Sequence, residues 1–477
     1  MAISTLDAPL YNWLIKYAQS NPVPFHMPGH KMGKGMPESL FKDIARIDIT
    51  EIPGADNLHY PEGIIDEAQK LAAGAFGADS TFFLVNGSTC GIHAMIMTIC
   101  KPGEKLIVAR DCHKSVIGAM ILGRITPVYI KPGYIEEFGA PGTINATELE
   151  KILKQNPDAR GVLITRPNYY GVCSDIQQIA QIVHSHGKAL AVDEAHGAHL
   201  GFNVDLPVSA LEAGADICVQ SAHKTIPAFT QGSYLHIKKG RIDIDRLKFY
   251  LGMLQTSSPS YIIMSSLDLA REIMQKSGKL YLGNILEYRQ WFEDMTGLVG
   301  GLEILKEEHV KKGTLDRTRI VVNCRGIGKT GFEVERALRA KYGIQVEMAD
   351  INNIICIATV ADRKEDFQKL YKALEELATI NTNNNNLSND IIVKDLEIPG
   401  TAIELKDMHR FGSCRRKISE AVGLISKGMI TPYPPGIPLI CPGEVITHQA
   451  VDYINGLIAL GAVVNGVGKE QEVEVIC

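Results

Sequence analysis

Short, continuous apolar runs alternate with helical stretches between residues 80 and 240, and this alternation constrains the fold more than any other feature of the chain. Four of these runs are "KLIVAR" (105–110), "GVLITRP" (161–167), "ALAVDEA" (189–195) and "DICVQSAHK" (216–224). They lack the polar residue at every second position that a half-exposed strand shows. We therefore expect strands buried on both faces of a largely parallel sheet flanked by helices, which is an α/β fold.

The pattern changes near residue 280, where a long helical stretch precedes further apolar runs. One later segment has apolar residues at helical spacing, which predicts a buried helix face: Phe367, Leu370, Tyr371, Leu374 and Leu377. The polar segment "INTNNNNLSND" (380–390) is typical of a linker. The predicted organisation is an N-terminal arm (1–55), a large ligand-binding domain (56–280), a small α+β domain (281–380) and a C-terminal module (391–477).

Composition and charge argue against several functional classes. The net charge of -5 and the pI near 6.3 leave no basic surface for a nucleic-acid backbone. The ten cysteines form no CxxC pair and lie mostly in apolar runs, as reduced thiols of a cytosolic protein do. No stretch reaches the roughly 18 apolar residues of a membrane span, so we predict a cytoplasmic protein without nucleic-acid or membrane partners.

The string "VDEAHGAHLG" (192–201) contains DEAH, which P-loop helicases use to hold Mg²⁺ beside a nucleotide. Such an enzyme needs a GxxxxGK[ST] loop on an earlier strand. The nearest match, "NCRGIGKT" (323–330), has Asn323 where the pattern requires glycine, and it follows DEAH in the chain. We therefore rank a helicase last and predict a surface turn at this segment. A metal site at His196 and His199 is also disfavoured, because a third ligand is missing.

Asp193 and Lys224 lie 31 residues apart at the ends of two successive predicted strands. Ligands bind beyond the carboxyl ends of parallel strands, so this spacing places both side chains in one crevice. A pyridoxal phosphate enzyme needs a lysine for the Schiff base and a carboxylate that keeps the ring nitrogen protonated. The segment "VNGSTCGIHAMIMTIC" (85–100) predicts a turn into a helix whose N-terminal amides favour a phosphate.

Motifs along nearly the whole chain resemble, in content and order, those of the fold-type I ornithine/lysine/arginine decarboxylases. They are "PFHMPGHKMGKG" (24–35), "DNLHYPEG" (56–63), "NGSTCG" (86–91), "RDCHKS" (110–115), "RPNYYGV" (166–172), "VDEAHGAH" (192–199), "SAHKT" (221–225), "TSSPSY" (256–261) and "YPPGIPLICPGE" (433–444). The resemblance implies an aspartate aminotransferase-like large domain with a mainly parallel sheet. It also implies decarboxylation of a basic amino acid with pyridoxal 5'-phosphate as the cofactor.

Taken motif by motif, the resemblance implies a role for individual residues. Lys224 would form the Schiff base, Asp193 would bind the ring nitrogen, and His113 would stack on the ring face. The phosphate would be held by Gly87, Ser88, Thr89, Ser221 and His223, with Thr256 or Ser257 reaching it from a neighbouring subunit.

Two departures from the family pattern bear on these expectations. Gly87-Ser88-Thr89 stands where the family often has Gly-Thr-Ser, and we expect little effect because backbone amides provide most of the phosphate binding. The larger inducible relatives carry an N-terminal wing, whereas this sequence begins almost directly at the core. We therefore expect a homodimer with a shared active site, or a tetramer, and no large ring.

Three alternatives remain open at the level of sequence. Arginine ranks first as substrate, because the short form resembles the biosynthetic, polyamine-directed members, and lysine or ornithine follows. An aminotransferase or aldolase-type lyase would use the same cofactor, and Arg410, Arg415 and Arg416 are candidates for a transaminase's carboxylate-binding arginine. Glu444 either anchors the distal cation of a basic substrate or accepts backbone amides in its own turn.

Overall fold

The computed structural model of the protein describes residues 7–20, 32, 43–379, 396–433 and 436–477. Apart from Met32, the residues of the motif over 24–35 lie outside these ranges, as do the predicted linker over 380–390 and both Pro434 and Pro435.

The helices and strands of the described residues follow the predicted alternation. The α-helices are α1 (Pro9–Gln19), α2 (Ile64–Phe76), α3 (Gly87–Ile99), α4 (Lys114–Gly123), α5 (Ala146–Gln155), α6 (Ile176–Ser185), α7 (Ala222–Thr225), α8 (Ile244–Leu254), α9 (Tyr261–Thr296), α10 (Gly331–Ala337), α11 (Lys364–Thr379) and α12 (His448–Ala459). The strands are β1 (Ser80–Leu84), β2 (Lys105–Ala109), β3 (Thr126–Ile130), β4 (Tyr134–Ile135), β5 (Ala140–Pro141), β6 (Gly161–Thr165), β7 (Val172–Ser174), β8 (Ala189–Asp193), β9 (Ile217–Gln220), β10 (Ser233–Ile237), β11 (Glu303–Ile304), β12 (Gly313–Leu315), β13 (Arg319–Asn323), β14 (Met348–Ala349), β15 (Asn353–Ile357), β16 (Ser413–Lys417), β17 (Thr431–Tyr433), β18 (Val463–Asn465) and β19 (Glu472–Ile476).

The chain forms two compact units. The first comprises Met1–Ile99 with Ala189–Leu282, and the second comprises Cys100–Lys188 with Gly283–Cys477. The domain boundaries inferred from the sequence remain a prediction.

In the first unit the strands lie in the order β1, β10, β9, β8. β8 and β9 are parallel, and Asp193 at the end of β8 lies opposite Val219 of β9. β10 is antiparallel to both of its neighbours, β9 and β1. Every residue of β8, β9 and β10 is buried, which confirms that the continuous apolar runs here are fully buried strands.

Helix α3 packs closely against this sheet because its fifth residue is Gly91. A Cβ atom at Gly91 would lie 2.5 Å from Leu84 Cδ1 and 3.1 Å from Val219 Cγ2, so any other residue here would have to displace the Leu84 side chain. The N-terminal helix α1 is held by α9, where the buried Asp268 carboxylate accepts a hydrogen bond from the Leu10 N–H at 3.0 Å. These contacts fix both helices to the first unit.

In the second unit β6, β2 and β3 are parallel neighbours, with Ile107 of β2 opposite Val162 and Val128. A separate antiparallel sheet has the order β11, β13, β15, β14. The predicted apolar face of α11 is buried in the core beside this sheet and is confirmed. The C-terminal part of the unit contains α12, the pairs β16–β19 and β17–β18, and a core that includes Ile430, Ile446 and Ile454.

The "NCRGIGKT" segment forms the turn that the sequence predicts. A short 3-10 turn over Arg325–Ile327 is followed by Gly328 in the left-handed region, at φ 69°. Thr330 and Glu333 then cap α10 reciprocally, because each side chain accepts the other's backbone N–H. The segment thus begins a helix after a turn.

Two further observations on the described residues concern membrane-spanning helices and disulfide bonds. None of their helices combines the length and apolarity needed to cross a bilayer. All ten cysteines of the chain are described, and all are free thiols.

Candidate active site

The first unit brings together the two residues on which the cofactor hypothesis rests. Asp193 ends β8, and Lys224 lies in α7, which begins two residues after the neighbouring parallel strand β9 ends. Parallel neighbours present their carboxyl ends at the same edge of a sheet, so both residues lie at that edge. The 31-residue spacing correctly predicted this arrangement.

The Asp193 carboxylate is buried, with 2% of the residue exposed. Burial raises the pKa of Asp193, and the charge of Lys224 together with the Ala195 N–H, which donates to Oδ1 at 3.1 Å, only partly opposes this effect. A desolvated carboxylate of this kind is stabilised by a cationic N–H donor.

His196 lies beside the lysine, with its Nε2 3.2 Å from Lys224 Nζ. An ammonium group has only donors, so Nε2 accepts when Lys224 is protonated and the neutral ring then carries its proton on Nδ1. The sequence pattern alone suggests His196 only as a metal ligand. The signal that identifies it is its position three residues after Asp193, on the turn that follows the same strand.

The predicted phosphate-binding turn leads directly into α3. Gly87 adopts φ 75° and its N–H donates to Gln231 O at 3.0 Å, after which the chain enters α3. The hydroxyl of the fully buried Ser221 donates to Ser88 Oγ at 2.8 Å, which joins the turn to the end of β9. The first amides of an α-helix have no partners within the helix and favour an anion, so Ser88 and Thr89 are suitably placed.

His223 directly precedes the lysine in the chain. Its Nδ1 lies 3.0 Å from Gly232 O, which requires Nδ1 to carry a proton. Burial lowers the pKa of His223, and although the hydrogen bond to Gly232 raises it, the charge of Lys224 lowers it further. The neutral ring therefore keeps an unprotonated Nε2.

Thr256 and Ser257 are exposed at the surface of the first unit. The backbone N–H of Thr256 donates to Asn86 Oδ1 at 3.4 Å, and His59 Nε2 donates to Thr256 O at 2.8 Å. The segment "TSSPSY" thus lies next to the residue that precedes Gly87. Its contribution to a second subunit stays a prediction.

His113 belongs to the second unit, where it caps α4. The Ser115 N–H donates to His113 Nδ1 at 3.2 Å, so the neutral ring carries its proton on Nε2. A Cβ atom at Gly436 would lie 3.4 Å from Nε2, so the backbone of the C-terminal segment passes close to this ring. The stacking role of His113 stays a prediction.

Glu444 lies deep in the second unit, with 1% of its side chain exposed. It pairs with Arg110, whose Nη2 lies 3.1 Å from Oε2, and it also accepts the Cys441 N–H at 2.7 Å. Burial raises the pKa of Glu444, and the charge of Arg110 counteracts only part of that rise. These contacts support the structural alternative, in which the carboxylate accepts a backbone amide of its own turn.

Among the described residues no group of three or more His, Cys, Asp or Glu side chains is arranged to hold a metal ion.

Two family models match the chain. Residues 8–312 match the Orn/Lys/Arg decarboxylase major domain, and residues 406–472 match the C-terminal domain of the same family. The chain is 36% identical to an arginine decarboxylase of Bacillus anthracis over 474 residues, which cover 97% of this chain and 96% of that protein. It is also 36% identical to an arginine decarboxylase of Bacillus subtilis strain 168, with 97% and 96% covered.

A solved structure shares the fold. The lysine decarboxylase LdcF of Francisella novicida matches with a TM-score of 0.82 over 98% of this chain and 81% of that chain, at 19% identity. The predicted fold-type I class is thereby confirmed.

Proposed function

Because this chain belongs to the Orn/Lys/Arg decarboxylase family and is a decarboxylase of basic amino acids, we propose that its preferred substrate is arginine and its cofactor pyridoxal 5'-phosphate. Two relatives that match almost its entire length are arginine decarboxylases, which supports arginine ahead of lysine and ornithine. The observation that carries the chemistry is the placement of Asp193 and Lys224 at the ends of adjacent parallel strands.

The residues of the first unit fit pyridoxal phosphate. Asp193 is a desolvated carboxylate that a protonated ring nitrogen would stabilise, and the start of α3 with Ser88 and Ser221 suits the phosphate. Lys224 would hold the cofactor covalently through Nζ. When bound, the cofactor supplies a protonated ring that accepts the electron pair released as CO₂ leaves.

The chain's own residues then govern protons and orientation. Asp193 would keep the ring nitrogen protonated, because a nearby carboxylate raises the pKa of that nitrogen. Lys224 Nζ and His196 Nε2, 3.2 Å apart, are within proton-transfer distance. We assign to this pair the proton that replaces CO₂ at the substrate Cα. His113 would cover one face of the ring, with its own ring orientation fixed by Ser115.

An aminotransferase is disfavoured by the positions of the three candidate arginines. Arg410 has 68% of its side chain exposed and pairs with Asp407. Arg415 and Arg416 lie on the exposed strand β16, where Arg415 is opposite Glu474. A transaminase arginine that binds a substrate carboxylate should instead be aimed into a pocket, so these contacts favour a decarboxylase.

The quaternary and cellular context is part of the same proposal. A homodimer that shares its active sites through Thr256 or Ser257 is supported by the exposure of both residues. A cytoplasmic location is supported by the ten free thiols.

The direct test is to incubate the purified protein with arginine, lysine and ornithine in turn and to identify the amine product. We expect the highest kcat/KM with arginine. Lys224→Ala should abolish turnover and covalent attachment of the cofactor, whereas Lys239→Ala, at an exposed lysine, should behave as wild type. Turnover at the wild-type rate by Lys224→Ala would refute the assignment, and a preference for lysine would refute the substrate.

A further inference from the structure

Four buried polar side chains of the first unit form a continuous chain of hydrogen bonds from β8 across the sheet to β1. Glu194 Oε2 accepts from Gln220 Nε2 at 2.7 Å, Gln220 Oε1 lies 3.1 Å from His236 Nε2, and His236 Nδ1 lies 2.8 Å from Thr81 Oγ1. At most 4% of any of these residues is exposed. Buried polar groups at this depth must satisfy one another.

The order of donors and acceptors follows from the carboxylate at one end. An ionised Glu194 only accepts, so the Gln220 amide donates to it through Nε2 and presents Oε1 to His236. His236 must then donate through Nε2, and its Nδ1 accepts the Thr81 hydroxyl. Burial lowers the pKa of His236 to about 3, which keeps the ring neutral, as this order requires.

The chain of hydrogen bonds begins beside the two residues of the candidate active site. Glu194 directly follows Asp193, and Gln220 directly precedes Ser221 and lies four residues before Lys224. Glu194 is bound on its other oxygen as well, because Oε1 accepts the Ala210 N–H at 2.8 Å. The Glu194 side chain therefore has little freedom to move independently of β9.

We propose that Glu194 and Gln220 form a clamp that sets the position of the Asp193 carboxylate relative to the Lys224 amine, and that His236 and Thr81 fix the orientation of the Gln220 amide. All four are positioning residues, and the inference rests on the proposed function of Asp193 and Lys224. It gives the second residue of the DEAH string a role that neither a nucleotide site nor the cofactor contacts supply.

The clamp has a defined consequence for catalysis. Misplacing reacting groups by about 1 Å can lower the rate about 100-fold without a matching loss of binding. Loss of the Glu194–Gln220 bond should therefore lower kcat and leave KM nearly unchanged. A residue that only stabilises the fold would lower the melting temperature and leave kcat per folded site unchanged.

Gln220→Met tests the clamp, because it removes both hydrogen bonds of Gln220 at similar side-chain volume. We expect kcat to fall about 10- to 100-fold with KM changed less than about threefold. In the cofactor-free protein, amide hydrogen exchange over 192–194 and 219–224 should accelerate. Tyr234→Phe is the matched control, because it removes a buried 2.6 Å bond to Leu267 O on the same strand as His236 but outside the chain of four, and its kcat should stay within about twofold of wild type.

The double variant Glu194→Gln/Gln220→Glu decides between a hydrogen-bond clamp and a requirement for charge at position 194. In this variant the new amide at position 194 can accept the Ala210 N–H and donate to the new carboxylate at position 220. The second oxygen of that carboxylate accepts from His236, so the bonds that link the four residues and the bond to Ala210 are kept while the charge moves. We expect kcat within about fivefold of wild type and wild-type hydrogen exchange over the two strand ends.

The clamp is refuted if Gln220→Met keeps wild-type kcat and exchange, or if the folded double variant is as impaired as Gln220→Met. Should Gln220→Met fail to fold, the folded double variant is compared with wild type, and a kcat lowered more than about fivefold refutes the clamp. Lys224→Ala distinguishes failure of the clamp from failure of the proposed function. If Lys224→Ala loses turnover while Gln220→Met keeps wild-type kcat and exchange, the clamp is refuted and the proposed function stands.

Discussion

At the scale of single residues, burial decides what each charged group of this protein can do. Asp193 and Glu444 are both acids at most 2% exposed, and burial raises the pKa of each. Their surroundings differ, because Glu444 has the guanidinium of Arg110 at 3.1 Å, whereas Asp193 lies near the proposed cofactor-binding lysine. We infer that Glu444 stabilises the fold and that Asp193 takes part in the chemistry of the site.

Glu444→Gln should destabilise the protein without impairing catalysis. The variant leaves the buried Arg110 cation facing a neutral amide, and breaking a buried ion pair costs about 3 kcal/mol. The free energy of unfolding should fall by that order, while KM for the basic amino acid stays within about twofold of wild type. Thermal melts beside steady-state kinetics check this.

Glu404→Gln is the matched control, because Glu404 is an acid of the same unit with 47% of its side chain exposed, and both measurements should be near wild type. A raised KM at an unchanged melting temperature for Glu444→Gln would instead support the substrate-anchor interpretation.

At the scale of elements, the loop that precedes α2 is organised by one carboxylate. Asp56, at φ 68°, accepts the backbone N–H groups of Asn57, Glu62, Gly63 and Ile65 at 2.8 to 3.0 Å. Burial raises its pKa, but these hydrogen bonds outweigh burial, so the pKa of Asp56 lies below the ordinary value of 3.8. The ionised form therefore stabilises the start of α2 and the loop before it.

Asp56→Asn should lower the melting temperature at pH 7 and do so less as the pH falls. Asparagine tolerates a positive φ, so the change leaves the backbone conformation intact, but it removes the charge and one of the two acceptor oxygens that bind these N–H groups. Since the folded pKa lies below the unfolded one, the stabilisation is present above pH 3.8 and is lost as the pH falls through the folded pKa. We expect a loss of about 1 kcal/mol at pH 7, measured by thermal melts from pH 7 to pH 3.

Glu62→Gln, at an exposed acid of the same loop, should change the melting temperature little at any pH. An Asp56→Asn deficit of the same size at pH 7 and pH 3 would show that the charge of Asp56 is not responsible.

At the scale of the whole molecule, exposed apolar side chains lie near Thr256 and Ser257, the residues that we propose reach the active site of a second subunit. Phe249 and Met253 are 62% and 65% exposed and lie four residues apart on α8, hence on one face of that helix. This helix leads directly to Thr256 and Ser257, and Tyr60, 80% exposed, follows the histidine that binds Thr256 O. Exposed apolar surface of this kind is typical of subunit interfaces.

Mixing two inactive dimers should restore activity if the active site is shared. One parent is Lys224→Ala and the other is the Thr256→Ala/Ser257→Ala double variant. A heterodimer then contains one site with both defects and one site with neither, so an equal mixture after random exchange should reach about one quarter of wild-type activity in a two-fold symmetric dimer. Subunit exchange is measured separately with differently tagged parents. Activity that never exceeds the sum of the parents, with exchange demonstrated, would contradict a shared site.

Local sequence pattern determines the secondary structure and the burial of several elements of this protein. Continuous apolar runs predicted the buried strands β8 and β9, and helical spacing predicted the buried face of α11. The positions of Asp193 and Lys224 at neighbouring strand ends also followed from spacing, because each is set by the end of its own strand and the connection between them is short. These features depend on residues close together in the chain, where periodicity and strand ends carry the information.

Contacts between distant residues were decided only by the tertiary structure. Arg110 and Glu444 are 334 residues apart, and nothing in either motif indicates that the two pair. In the folded sheet the strands lie in the order β1, β10, β9, β8, which differs from their order in the chain. This order brings His196 to Lys224. It also joins Glu194 to Gln220, and through Gln220 to His236 and Thr81. Sequence pattern assigns a residue to a strand and a face, whereas the partner of a buried polar side chain depends on which strand packs beside it, and that is a property of the folded sheet.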